Sequence, residues 1–68
     1  MESAEQRVWS ERLSRLHRRQ LLLDPVVREL DRELKRAAAD GTREQRIERI
    51  REVSDRLGVH LGLGPRPR

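Results

Sequence analysis

From Trp9 to Ala37, apolar residues recur at alternating steps of four and three: Trp9, Leu13, Leu16, Leu23, Val27, Leu30, Leu34 and Ala37, with only Gln20 breaking the series. Such spacing draws a single stripe along a helical surface, and a stripe of this kind is stable only when another helix covers it. The later run Ile47, Ile50, Val53 and Leu57 is shorter and can cover only part of it. A chain with this imbalance is expected to be all-α and to bury the remainder of its stripe against a copy of itself or a partner.

Composition supports that expectation. A chain of 68 residues is one small domain at most, and at that size only about 60% of the unfolded surface is buried on folding. Hydrophobic residues make up 34% and charged residues 41%, and Trp9 is the only aromatic, so leucine, isoleucine and valine must supply the core. A monomer built this way is marginal, which favours self-association. The high charge alone would also suit a disordered chain, but the ordered apolar spacing opposes that.

Local signals divide the chain into three helices. Ser3 and Gln6 have capping-box spacing, with Glu5 in the first turn, and the first helix is expected over about residues 4–23. Leu21, Leu22 and Leu23 cannot share one face, so at least one is expected to project into an interface or cover the corner that follows. Asp24-Pro25 reads either as an N-cap and first helical residue or as a kink in one long helix. Proline's effect on the preceding residue favours the break, giving a second helix over about residues 25–39. Asp40-Gly41-Thr42 then closes one helix and opens another, with Gln45 completing a second capping box, so a hairpin is expected here. The third helix is expected over about residues 43–57, with Ile47, Ile50, Val53 and Leu57 facing inward and Gly58 as its stop. Residues 59–68, rich in Gly, Pro and Arg, are expected to form padding or a flexible tail. The predicted architecture is thus an all-α hairpin or three-helix unit over residues 1–58, self-associating into a coiled-coil-like helical bundle.

Sixteen basic residues face twelve acidic ones, a net charge of +4. The excess is local: residues 1–23 carry five arginines against three glutamates, residues 24–58 are balanced at nine of each sign, and Arg66 and Arg68 supply the rest. That placement permits a phosphate-bearing partner without requiring one. Arg12, Arg15, Arg18 and Arg19 would make phosphate contacts from the first helix. Arg43, Arg46 and Arg49 would do so in a helix-turn-helix version of the hairpin, although Glu44, Glu48 and Glu52 would accompany them towards phosphate.

Little in the sequence points to catalysis. There is no cysteine and no H-x-x-x-H pair, so His17 and His60 read as ordinary histidines and no metal or other cofactor is expected. The Glu44, Glu48 and Glu52 ladder reads as a solvated face, and Ser10, Ser14 and Ser54 have no evident base beside them. No apolar run approaches the roughly 20 residues of a membrane span and no secretion signal is visible, so a cytoplasmic location is expected and a membrane partner is not. A membrane-surface role for the basic, Trp-containing first helix would require it to leave the fold. The expected function is therefore a non-enzymatic protein-interaction or oligomerisation module, of the kind a small regulatory protein uses to dock on a larger one. Its interface is assigned to Trp9, Leu13, Leu16, Leu22, Leu23, Val27 and Leu30, with nucleic-acid binding through the arginines as the alternative.

Overall fold

The computed structural model describes residues 3–67 and shows an all-α, three-helix unit: α1 (Ala4–Gln20), α2 (Pro25–Ala39) and α3 (Arg43–His60). Arg68, the last of the tail cations, lies outside the described residues. Each helix starts on a sequence-encoded cap. The Ser3 hydroxyl accepts from the Gln6 N–H at 3.1 Å. At α2, Asp24 adopts an extended conformation, and its Oδ1 accepts from the N–H groups of Val26 at 2.9 Å and Val27 at 3.4 Å, with Pro25 in the first turn. The chain therefore breaks at Asp24-Pro25 and does not kink through it. Thr42 and Gln45 exchange both bonds of a capping box, at 3.2 and 3.0 Å, which satisfies donors that a helix start otherwise leaves open.

The α2–α3 hairpin turns at Asp40-Gly41-Thr42, with Gly41 at φ 89°. Its helices run antiparallel, joined near the middle by Arg56 and Glu33 at 2.9 Å and at the open end by His60 and Asp24 at 2.8 Å. Val27 and Leu57, both fully buried, lie at the centre of the core with Leu30, Val53, Trp9 and Leu13. The C-terminal half of α1 approaches α2, where His17 Nε2 lies 3.1 Å from Asp31 Oδ1 but off the hydrogen-bonding axis. Its N-terminal half rests on the end of α3 and the residues beyond.

That end of α3 departs most from the sequence reading. Gly58 is not the stop: α3 passes through it to His60. The helix ends at His60 and is closed by Gly62, at φ 83°, where the N–H of Gly62 bonds to Val59 O at 3.1 Å and that of Leu63 to Gly58 O at 2.8 Å. This pair of bonds around a left-handed residue satisfies the last carbonyls. Gly58 serves a different purpose, for a Cβ there would stand 2.5 Å from Trp9 Cζ2 and 2.8 Å from Gly64 O. The missing side chain is what lets the indole lie on α3.

The segment after α3 is the packed padding of the two expected alternatives, not the flexible tail. Leu61 and Leu63 pack on the core, the Trp9 Nε1–H donates to Gly64 O at 3.2 Å, and the Arg66 guanidinium lies 5.4 Å from the Trp9 ring centroid. Much of the cover that the first helix needed thus comes from residues 61–66. Two further boundaries shift. α1 ends at Gln20, three residues early, as Leu23 and Asp24 both donate to Gln20 O in a closing turn. Ile47, expected in the core, is exposed, while Ile50 is half-buried. Ile47 lies three turns before Gly58, beyond the part of α3 on which Trp9 rests.

Candidate interaction surface

The residues assigned to an interface separate into two groups. Trp9, Leu13, Val27 and Leu30 are core residues, each no more than 8% exposed. They pack in this chain's own core, whereas the sequence assigns them to an interface. Leu16 is half-buried, at the edge. Leu22 and Leu23 are the opposite case: at 84% and 77% exposed they are the most open large apolar side chains described. The closing turn after Gln20 throws both outward while Leu21 turns back onto the core.

The arginines separate in the same way. Arg46 Nη1 donates to Gly41 O at 2.8 Å, and Arg49 Nη1 reaches Asp40 O at 3.5 Å, so both fold back over their own turn. Arg43 is exposed beside them, next to Glu44. The helix-turn-helix arrangement thus spends two of its three candidate cations on local carbonyls. On α1, Arg12, Arg15, Arg18 and Arg19 are all exposed. Among the described residues, none of them has a carboxylate oxygen within 4 Å. On α2, Arg32 pairs with Glu29 at 2.9 Å and Lys35 with Asp31 at 3.0 Å, while Arg28, among the described residues, has no carboxylate oxygen within 4 Å. Such exposed pairs add little stability; α1 carries the largest net positive charge of the three helices, with Arg7, Arg12, Arg15, Arg18 and Arg19 against Glu5 and Glu11.

Of the four arginines without a carboxylate nearby, Arg12, Arg15 and Arg19 share one side of α1, and Arg18 lies off it beside Glu11 and Ser14. Arg12, Arg15, Leu16 and Arg19 line a shallow open groove of about 430 Å³. A second groove, about 400 Å³, continues past Arg12 to Val8, Leu63 and Pro67. Leu22 and Leu23 follow Arg19 in the closing turn just past the end of the helix. The surface is therefore an arginine row with open apolar groups at both ends, Val8 at one and the leucine pair at the other. Val8, Val26 and Val59, each about half exposed, add to the open apolar surface. Val26 and Val59 adjoin the Asp24–His60 contact, at the same end of the molecule as the leucine pair.

At that end, the hydrogen bond from His60 holds the Asp24 carboxyl below its ordinary value, with smaller help from the Val26 and Val27 N–H groups. Among the described residues, no three His, Cys, Asp or Glu side chains converge, and no helix is long and apolar enough to cross a membrane. No protein family, curated protein or solved structure matches the chain significantly.

Proposed function

We propose that this chain is a non-enzymatic protein-interaction module that works by self-association, docking through the outward side of α1. The observation that carries the reading is the pair Leu22 and Leu23, 84% and 77% exposed, next to arginines that have no carboxylate partner among the described residues. Exposed apolar groups rimmed by charge are the usual mark of a contact surface, and arginine suits such a surface because it forms planar bidentate pairs with carboxylates. The surface differs from the one the stripe suggested, since Trp9 is spent internally.

Light scattering on the wild type and on Leu22→Ser/Leu23→Ser tests this. The expected result is a molar mass rising with concentration for the wild type and staying at 8.1 kDa for the variant, with both melting alike because neither leucine is in the core. Equal association by the two would refute the assignment. The uncompensated charge of Arg12, Arg15, Arg18 and Arg19 supports one second reading, binding to a phosphate backbone. That reading calls for duplex DNA to bind with an affinity that falls steeply with salt, whereas self-association needs no nucleic acid.

A further inference from the structure

Resting on α1 as a docking helix, we propose that the surface it meets is the outer side of α3 on a second copy of this chain. Glu44, Glu48 and Glu52 are exposed along that side, and among the described residues none has a cationic nitrogen within 4 Å. Asp55 follows them, touched only at 3.8 Å by Arg66 Nε. Ile47 and Val59, 42% and 60% exposed, stand towards the two ends of the row. The chain thus carries an acidic row with open apolar ends, the complement of the basic row on α1.

The two rows also match in spacing. Val8 to Leu23 and Glu44 to Val59 are both 16 residues long. Arg12, Arg15 and Arg19 are separated by three and then four, and Asp55, Glu52 and Glu48, read backwards, by the same steps. Laid antiparallel, α1 of one copy on α3 of the next sets Val8 opposite Val59, Arg12 opposite Asp55, Arg15 opposite Glu52 and Arg19 opposite Glu48. Leu22 and Leu23 then arrive at the turn carrying Glu44 and Ile47. Arg51, the cation within the α3 row, falls opposite Leu16, over which its methylene stem can lie.

The contact joins different surfaces, so each copy keeps one free α1 and one free α3 side. These either close on each other in a two-fold pair or add further copies. A helix face 16 residues long covers about 24 by 10 Å. Even made twice, that is below the roughly 800 Å² per partner of a standard interface. The assembly is accordingly weak, concentration-dependent and loosened by salt.

The test is sedimentation velocity of the full chain over a concentration series at low and moderate salt, using Arg15→Glu/Arg19→Glu and Glu48→Arg/Glu52→Arg. All four positions are exposed, and unchanged melting of each variant verifies its fold. Each variant alone sets like charges against each other and should associate at least about tenfold more weakly than the wild type. Mixed in equal amounts, the two restore opposite charges at both contacts and should recover wild-type association. Failure of the mixture to recover would overturn the pairing. If Glu48→Arg/Glu52→Arg assembles normally while Arg15→Glu/Arg19→Glu does not, α3 is the wrong surface and α1 docking survives. A wild type that is monomeric throughout yet binds duplex DNA would overturn both, in favour of a phosphate partner.

Discussion

Replacing Gly58 with alanine sets two opposed effects against each other, and the structure decides between them. Inside a helix, alanine is favoured over glycine by about 1 kcal/mol, so on helix propensity alone the change would stabilise α3. The new Cβ, however, would stand 2.5 Å from Trp9 Cζ2 and 2.8 Å from the Gly64 carbonyl oxygen, the first about 1 Å inside ordinary carbon contact. The indole is held between the core and the Gly64 oxygen, so it cannot withdraw without loosening one of them. Overpacking of this kind costs about 1–3 kcal/mol, and losing the indole hydrogen bond adds about 1 kcal/mol. After the helix gain is subtracted, the net loss is about 1–3 kcal/mol. At about 4–8 °C per kcal/mol for a domain of this size, Gly58→Ala should melt at least several degrees below the wild type. The assay is thermal unfolding followed by circular dichroism, with Trp9 fluorescence reporting exposure of the indole. A variant that melts at or above the wild-type temperature would refute the seating of Trp9 on Gly58.

Two further outcomes follow from the same contacts. Trp9→Ala should cost about 3–5 kcal/mol as a buried aromatic truncation, a large part of the roughly 3–10 kcal/mol available to a 68-residue fold; denaturant titration should find it partly unfolded in buffer, and a cooperative fold near wild-type stability would place Trp9 outside the core. Asp24→Asn keeps a capping oxygen but loses the carboxylate. Because the folded Asp24 carboxyl titrates below its ordinary value, its contribution is present above the unfolded carboxylate value of about 3.9 and is lost as pH falls through the folded one. Melting curves across pH should therefore show wild type and variant farthest apart above about pH 4 and converging in stronger acid; a gap that widens on acidification would contradict the assignment.

The parts of the fold that were legible in the sequence are those set by neighbours within a few residues. The caps at Ser3, Asp24 and Thr42 and the turn at Gly41 each place donor and acceptor within four positions, so residue identity nearly determines the geometry. Gly58 was misread because a glycine after an apolar run is locally a stop signal. Its use as a seat for Trp9 depends on a residue 49 positions away in the chain. The same holds for Trp9 itself, whose hydrogen bond spans 55 positions to Gly64. Periodicity could show that the stripe needed cover but not that the Gly- and Pro-containing end would supply it. Once that end is seated, the surplus falls on the α1–α2 corner. There three successive leucines guaranteed that some would face outward, and only the geometry of the turn selected Leu22 and Leu23. The arginine row was visible in the sequence as charge. That it lacks carboxylate partners among the described residues was not, since Glu5 and Glu11 lie close by in the chain.

Self-association through the outer side of α1, with Trp9 retained inside, is tested most directly by a dilution series of ¹⁵N-labelled protein followed by NMR. The expected result is concentration-dependent shifts of the amides of Arg12, Arg15, Arg19, Leu22 and Leu23, accompanied by those of Glu48 and Glu52, while the Trp9 indole N–H stays fixed on Gly64. An indole resonance that moves with concentration, or a spectrum unchanged across the whole series, would contradict it.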